Sequence, residues 1–292
     1  MSKIIALMNQ KGGVGKTTTT VNLAACLAAA EKRVLMIDLD PQGNGSVSVG
    51  LDGEVFEGKT IYHALVGDES IKNCVFNTEL PGFDIVPSDN DLAGAEIELV
   101  SAISRETKLK VTLSDIRDEY DFILIDCPPS LGLLTINALC AADSFIVPMQ
   151  TEYLAMEGLA QLLQTVSLIK QSLNSDLENE GIVLTMFDPR TGLHKQVAEM
   201  IREHFGELVF ETVIPKNVRL SEAPSFGKPV ILYDIECKGS EAYMSLAKEL
   251  LIRNRKKETI QESTQEAAPE TDIPVPPTYV EPTGGHDVQP QM

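Results

Sequence analysis

Short apolar runs suited to buried strands alternate along this chain with longer stretches that have helical spacing. Residues 3–7 (KIIAL) precede an Ala- and Leu-rich stretch without Gly or Pro over residues 17–30, and residues 33–38 (RVLMID) follow it. A strand, a helix and a strand within about 35 residues predict a right-handed βαβ unit, which begins a helix-covered parallel sheet. The pattern therefore predicts an α/β fold with a doubly wound, mostly parallel sheet flanked by helices.

The same alternation continues to residue 255 and then stops. Further strands are predicted at 83–87, 120–126, 144–149, 181–187 and 208–214, and further helices at 60–66, 90–102, 107–118, 133–142, 154–173, 193–205 and 239–255. Residues 258–292 hold six of the sixteen prolines, seven acidic residues and no Lys or Arg. A segment of this kind buries too little apolar surface to offset the entropy of ordering. We expect one domain over residues 1–255 and a disordered acidic tail over residues 256–292.

A glycine-rich turn, MNQKGGVGKTT over residues 8–18, joins the first strand to the first helix. Glycines let consecutive backbone N–H groups point inward, and the helix N-terminus adds partial positive charge. Lys16 is placed to reach the β- and γ-phosphates, and the Thr17 hydroxyl can bind Mg²⁺. The turn is thus a P-loop, and its predicted ligand residues are Gly12, Gly13, Val14, Gly15, Lys16, Thr17 and Thr18.

Carboxylates stand where two of the predicted strands end. Asp38 ends the strand at 33–38 and Asp40 follows it, and Asp126 ends the apolar strand at 120–126. The carboxyl ends of parallel strands border the crevice in which α/β proteins bind ligands. Asp126 fits a Walker B carboxylate that holds Mg²⁺ directly or through water. Asp38 or Asp40 can meet the metal or an attacking water, although an Asp-Pro-Gly turn explains the segment equally well.

Composition and charge narrow the class of protein. Five scattered cysteines without a C-x-x-C pair argue against a disulfide framework, a structural zinc site and an iron–sulfur cluster. The chain has neither an apolar run of about 20 residues nor a signal-peptide pattern, so we expect a cytoplasmic protein without membrane contact. The net charge of -19 argues against nucleic acid. Because the tail supplies seven of the negative charges, a basic patch elsewhere stays open.

The P-loop departs from the strict motif, because Gln10 stands where a glycine is expected and Lys11 adds a second lysine. The run K-G-G-V-G-K-T-T resembles the deviant Walker A motif of the ParA/MinD group of ATPases. The runs V-L-M-I-D-L-D-P-Q-G-N, I-D-C-P-P-S-L-G and V-R-L-S-E-A-P-S resemble the switch and base-binding segments of its ParA/Soj branch. The resemblance covers about residues 1–255 and stops there.

This resemblance implies an ATPase that uses ATP and Mg²⁺, with catalytic roles for Lys11, Lys16 and Asp40. Lys11 would reach across a dimer to the phosphates bound by the other subunit. Pro215 would pack on the adenine and Asn217 would hydrogen-bond it. We further hypothesise that Glu152 holds Lys11 when no partner is docked, the alternative being a simple acid at a helix N-terminus.

The function implied by the resemblance is partition of a chromosome or plasmid. The ATP-bound homodimer would bind double-stranded DNA nonspecifically on the nucleoid, and a ParB-like protein would stimulate hydrolysis. Arg190, Arg219, Lys195 and Lys216 are candidates for DNA phosphate contacts, with ordinary solvated cations as the alternative. Lys216 stands where the family usually has Arg, which weakens any role that needs a planar fork.

Two other functions are compatible with the same fold. A MinD-like ATPase that cycles on the membrane ends in a basic amphipathic helix, whereas the acidic tail of this chain would be repelled by an anionic bilayer. A biosynthetic enzyme such as a nucleotide-dependent amide ligase ranks last, because no substrate pocket is evident from the sequence.

Overall fold

A computed structural model describes residues 2–266 except positions 54, 57, 68, 153 and 154. The chain divides into two compact units, Met1–Leu251 and Ile252–Met292. Seven strands form one sheet in the first unit: β1 (Lys3–Leu7), β2 (Val34–Asp38), β3 (Phe76–Asn77), β4 (Phe83–Val86), β5 (Phe122–Asp126), β6 (Ser144–Gln150) and β7 (Glu178–Thr185). Their order is β3-β4-β2-β5-β1-β6-β7. Only the short β3 runs antiparallel to its neighbour, so the predicted doubly wound, mostly parallel sheet is confirmed.

Helices connect the strands and cover the sheet. They are α1 (Lys16–Ala29), α2 (Asn44–Val47), α3 (Ile61–Leu65), α4 (Leu92–Glu98), α5 (Lys108–Ser114), α6 (Leu133–Ala141), α7 (Ala155–Ser172), α8 (Gly192–Phe205), α9 (Val218–Glu222), α10 (Val230–Tyr233) and α11 (Lys238–Glu266). The short β3, α2, α9 and α10 were not predicted from the sequence.

The core has two layers because successive strand residues point to opposite faces of the sheet. Ile4 and Ala6 pack into one buried cluster, and Ile5 and Leu7 pack into the other. Both faces of β2 and β5 are fully buried. Parallel strands covered on both sides read as continuous apolar runs, which is why they were recognisable in the sequence.

The sheet brings the functional segments to one edge. Leu7, the last residue of β1, is paired with Asp126 of β5, and Asp126 is also paired with Asp38 of β2. The P-loop follows β1 directly and leads into α1. Three neighbouring strands therefore end together beside the P-loop, as the sequence predicted.

The predicted strand at 208–214 is wrong. This segment runs parallel to β7 but forms only isolated bridges, Ile182 with Val209 and Phe187 with Pro215. The backbone N–H groups of Glu211 and Thr212 donate instead to the carboxylate of Glu249 on α11, at 2.8 and 2.9 Å. A side chain from a helix thus takes the Thr212 donor, which lies between the Phe210 and Ile214 N–H groups that do donate to β7.

The last helix continues to Glu266, eleven residues past its predicted end at residue 255. Residues 256–266 contain no Gly or Pro and are mostly good helix formers, so helical propensity extends the helix into the predicted tail. The rest of that tail, residues 267–292, lies outside the described residues. Within the described part of the chain, no helix has the length and apolarity needed to cross a bilayer.

Candidate nucleotide-binding site

The P-loop curls between β1 and α1 through two left-handed glycines. Gly13 has φ 74° and Gly15 has φ 85°, a region that residues with a Cβ rarely adopt. Gly15 caps α1, whose first residue is Lys16. The free N–H groups of the first helical turn therefore face the same space as the glycine-rich turn, which suits a phosphate group.

The P-loop forms one wall of a cleft of about 480 Å³. Its other walls come from the segment after β2, from Pro129 and from two residues far along the chain, Met186 and Pro224. The full lining is Gly12, Gly13, Gly15, Lys16, Thr17, Thr18, Asp40, Gln42, Asn44, Val47, Ser48, Pro129, Met186 and Pro224. A volume of this size lies in the range of ligand sites. Four lining residues lie in segments assigned to the site by resemblance but were not named individually: Gln42, Asn44, Pro129 and Pro224. Val47, Ser48 and Met186 lie outside those segments.

Lys16 is buried at the base of this cleft. Only 7% of the residue is exposed, and its Nζ lies 3.5 Å from the carbonyl oxygen of Lys11. Burial lowers the pKa of Lys16 from its ordinary value, and the negative charges of Asp126 and Asp40 oppose that shift. The Lys16 ammonium is thus held among carboxylates where a phosphate is expected.

Lys11 points elsewhere. Its ammonium forms an ion pair with the carboxylate of Glu152, and about half of each side chain is exposed. Among the described residues, the lining of the cleft includes the neighbouring Gly12 but not Lys11. The two P-loop lysines therefore occupy different environments, and the hypothesised contact with Glu152 is present.

Asp126 offers a buried carboxylate beside the start of α1. Its Oδ1 accepts a hydrogen bond from the Thr20 hydroxyl at 3.0 Å, whereas its buried Oδ2 has no hydrogen-bond partner among the described residues. Burial raises the pKa of Asp126, the neighbouring Asp38 raises it further, and the hydroxyls of Thr17 and Thr20 oppose the shift. A divalent cation bound at Asp126 and Thr17 would satisfy the free oxygen and the buried charge, so these residues fit Mg²⁺.

The Asp38 carboxylate is hydrogen-bonded to Ser46 at the start of the next segment. Its Oδ2 accepts hydrogen bonds from the backbone N–H and the hydroxyl of Ser46, both at 2.8 Å. Burial raises the pKa of Asp38 as well. A Cβ on Gly45 would lie 2.5 Å from Met36 Cε and 2.9 Å from Asp38 Oδ2. Asp38 therefore fixes α2 against β2, and its metal role stays a prediction.

Asp40 faces the cleft. It is 8% exposed, lines the cleft, and accepts a hydrogen bond from the Gln42 backbone N–H at 3.0 Å through Oδ1. A carboxylate with one anchored oxygen is suited to orienting a water molecule with the other. The position agrees with the hydrolytic role predicted for Asp40.

The segment after β2 is also fixed at its far end. Gly50 and Gly227 have φ 84° and 62°, and a Cβ on Gly227 would lie 2.6 Å from the Cα of Gly50. Backbones approach this closely only where both residues lack a side chain. The loop that carries Pro224 is therefore joined to the segment that carries Asp40.

The predicted base-binding residues lie outside the lining of the P-loop cleft. Pro215 contributes to a second cavity of about 440 Å³, together with Val213 and residues at the start of α11 such as Lys238. Asn217 caps α9, because its Oδ1 accepts a hydrogen bond from the Arg219 backbone N–H at 2.8 Å. Adenine binding by Pro215 and Asn217 stays a prediction.

The four candidate DNA contacts are exposed cations. The isolated bridge between Phe187 and Pro215 sets the loops that carry Arg190 and Lys216 side by side. Arg190 forms an ion pair with Asp188 at 2.7 Å, and Arg219 forms ion pairs with Glu222 and Asp234 at 2.8 and 3.1 Å. Lys195 on α8 is exposed. Exposed pairs of this kind contribute little, so they leave the cations usable for phosphate.

Comparison with known proteins gives the family. A protein-family profile described as an AAA domain matches residues 2–179. The chromosome partitioning protein ParA of Myxococcus xanthus is 54% identical over 257 residues, which cover 88% of this chain and 90% of that protein. The sporulation initiation inhibitor protein Soj of Bacillus subtilis is 55% identical over 250 residues, which cover 86% of this chain and 98% of that protein. The chain belongs to the ParA/Soj family.

A solved structure of similar fold carries a nucleotide. The crystal structure of cobyrinic acid a,c-diamide synthase from Mycobacterium smegmatis with bound ADP and magnesium has a TM-score of 0.75 and 37% identity. The match covers 86% of this chain and 94% of that one. Membership of the ParA/Soj family and this likeness confirm the P-loop NTPase fold, and the ligands of that structure agree with the expected ATP and Mg²⁺.

Proposed function

We propose that the chain is a partition ATPase that dimerises with ATP, binds DNA nonspecifically and is stimulated by a ParB-like protein. Two relatives support this proposal, the chromosome partitioning protein ParA at 54% identity and the sporulation initiation inhibitor protein Soj at 55% identity. The observation that carries it is the position of Lys11, which is half exposed and ion-paired with Glu152 rather than set in the cleft of its own chain. A lysine placed in this way is available to a second subunit.

Within one chain, the cleft supplies binding and orientation. The P-loop N–H groups and Lys16 hold the phosphates, while Thr17 and Asp126 hold Mg²⁺, which when bound offsets charge on the transferred phosphoryl group. Asp40 orients the attacking water toward the γ-phosphorus and accepts its proton as the bond to the β-phosphate oxygen breaks. The carboxylate of Asp40 is positioned for this by the Gln42 N–H.

The dimer completes the catalytic site. When two chains meet with ATP between them, Lys11 leaves Glu152 and adds a second cation to the phosphates of the partner. Its part is that of an arginine finger. Turnover is then slow in the monomer and rises with protein concentration. Loss of the γ-phosphate removes the group that both chains hold, so hydrolysis releases the dimer.

DNA binding follows from the same dimer. Arg190, Arg219, Lys195 and Lys216 lie on exposed segments, and two copies double the number of phosphate contacts. A dimer therefore binds duplex DNA far more tightly than a monomer does, because each added contact multiplies affinity. This couples ATP binding to attachment on the nucleoid within the cytoplasm.

Sedimentation velocity tests the proposal directly. The protein is run in Mg²⁺ with ATP, with the non-hydrolysable analogue AMPPNP, with ADP and without nucleotide, each with and without a DNA duplex of arbitrary sequence. We expect dimers with ATP and AMPPNP only, and DNA binding only in those samples, with loss of binding between about 50 and 200 mM salt. A protein that remains monomeric with AMPPNP and Mg²⁺ overturns the proposal.

Two substitutions separate the role of Lys11 from that of its ion pair with Glu152. Lys11→Ala should abolish the rise of turnover with protein concentration, whereas Lys170→Ala, an exposed lysine on α7, should leave it unchanged. Glu152→Gln should release Lys11 and tighten the ATP-dependent dimer by up to about fivefold per subunit, because an exposed ion pair is worth up to about 1 kcal/mol. Unchanged dimerisation in Glu152→Gln would contradict the idea that Glu152 holds Lys11 until a partner docks.

The amide ligase alternative receives less support than the partition function. The neighbour named as a diamide synthase is 37% identical, whereas the chromosome partitioning protein ParA is 54% identical over 90% of its length. Unchanged ATP turnover on addition of carboxylic acid substrates and glutamine would agree with the partition function.

A further inference from the structure

Two consecutive carbonyl groups of the P-loop are held by side chains from distant strand ends. The Gln150 side chain, at the end of β6, donates from Nε2 to the carbonyl oxygen of Gly13 at 2.9 Å. The Thr185 hydroxyl, at the end of β7, donates to the carbonyl oxygen of Val14 at 2.8 Å. Thr185 is 2% exposed and Val14 is 1% exposed, so the second bond is buried.

The geometry of the peptide unit turns these bonds into control of the ligand-binding N–H groups. A trans peptide is planar, and its C=O and N–H point in opposite directions. A fixed Gly13 carbonyl therefore fixes the N–H of Val14, and a fixed Val14 carbonyl fixes the N–H of Gly15. With both carbonyls held by donors outside the loop, both N–H groups point to the opposite side.

Both of these peptide units border a left-handed glycine. Gly13 and Gly15 have no side chain to restrict rotation, so the adjoining peptide planes have access to more orientations than other residues allow. A loop of this kind needs an external contact to keep one orientation. Gln150 and Thr185 provide one such contact for each plane.

The backbone strain at Met186, which follows Thr185, supports a functional role for this end of β7. Met186 has φ 51°, a strained conformation for a residue with a long side chain, and such strain gathers at functional sites. Its Sδ accepts a hydrogen bond from Gln150 Nε2 at 2.7 Å, and its Cε would lie 3.9 Å from a Cβ on Gly15. The strained end of β7 thus packs directly on the loop and lines the cleft.

We propose that Gln150 and Thr185 are positioning residues that orient the Val14 and Gly15 N–H groups toward the phosphates of the nucleotide. They touch the loop and not the ligand, and they act by restricting two peptide planes before the ligand arrives. This role rests on nucleotide binding, the first step of the proposed function, and is independent of dimerisation and DNA.

Calorimetric titration with Mg²⁺-ADP and Mg²⁺-AMPPNP tests the role of Thr185. Thr185→Val keeps the size and branching of the side chain but removes the donor, and we expect the Kd for both nucleotides to rise about tenfold. Thr185→Ser restores the hydroxyl and should return the Kd to within about twofold of the parent. The control is Thr165→Val, since the Thr165 hydroxyl donates to the Gln161 carbonyl in the same way on α7, at 3.2 Å.

Gln150→Leu tests the peptide plane between Gly13 and Val14. Gln150 is only half-buried, so this variant is expected to fold even if Thr185→Val does not. We expect a rise in Kd of about three- to tenfold, against no change in Gln171→Leu, whose side chain donates to the Ser167 hydroxyl on α7. Parent-like affinity in Thr185→Val and Gln150→Leu, or equal affinities for Thr185→Ser and Thr185→Val, overturns the inference. A parent protein that binds no nucleotide instead overturns the proposed function.

Discussion

Gly45 offers a sharp test of how the segment after β2 is packed. It lies in the short helix α2, where alanine is favoured over glycine by about 0.5–1 kcal/mol through backbone entropy. Propensity alone therefore predicts that Gly45→Ala stabilises the protein. The structure predicts the reverse, because the added methyl group would meet Met36 at 2.5 Å and the Asp38 carboxylate at 2.9 Å.

The magnitudes decide between these effects. Met36 and Asp38 are both 0% exposed, so neither has free space to move into. Overpacking a filled core costs about 1–3 kcal/mol. Displacing the Asp38 carboxylate from its two hydrogen bonds with Ser46 adds about 1–3 kcal/mol, because a buried charge loses its donors. After the gain from propensity, we expect a net loss of roughly 1–5 kcal/mol.

Urea unfolding and thermal melting of the nucleotide-free protein measure this loss. For a domain of this size each kcal/mol corresponds to about 2–4 °C in Tm. Gly158→Ala on α7 is the matched control, since no atom lies within 4 Å of its Cβ position, and it should stabilise by about 0.5–1 kcal/mol. A Gly45→Ala protein as stable as the parent, or more stable, would refute the packing argument.

Three further outcomes follow from the site. In Mg²⁺-free protein without nucleotide, the contribution of Asp126 and Asp38 to stability should fall as pH rises from about 4 toward neutrality, because burial raises their folded pKa above the unfolded value and the folded state binds more protons. Asp126→Asn should flatten that profile in melting curves and raise Tm at pH 7.5; a lower Tm there would contradict it. Asp40→Asn should reduce ATP turnover by at least about 100-fold with nucleotide Kd nearly unchanged, and a parallel loss of binding would argue for a structural role. Gly227→Ala should destabilise by about 1–3 kcal/mol in urea, since its Cβ would meet the backbone of Gly50 at 2.6 Å, and no shift in midpoint would argue that the loop is free to move.

The sequence predicted those parts of the fold and the site that depend on residues close together in the chain. The P-loop, the carboxylate at the end of β5 and the buried strands each leave a local pattern, and each lies where that pattern indicates. The contact between Lys11 and Glu152 was also anticipated, although only through the resemblance to ParA relatives. Local pattern and family resemblance together account for most of the cleft.

The rest depends on partners far apart in sequence. Gln150 and Thr185 bond to the P-loop across more than a hundred residues, and nothing near either residue marks it as different from other strand ends. The segment at 208–214 has the composition of a strand, but a carboxylate from α11 takes two of its donors. Composition also suggested disorder for residues 256–266, where the propensity of the residues favours a helix.

The close approach of Gly50 and Gly227 has a consequence for communication across the molecular surface. One short loop contributes Pro224 to the cleft, touches the segment behind Asp40 through Gly227, and exposes 63% of Phe226 between them. Because the backbones of Gly50 and Gly227 are in direct contact, a shift of the segment at Gly50 must also move this loop. A second molecule resting on Phe226 would thus lie on a loop that also borders the nucleotide cleft at Pro224.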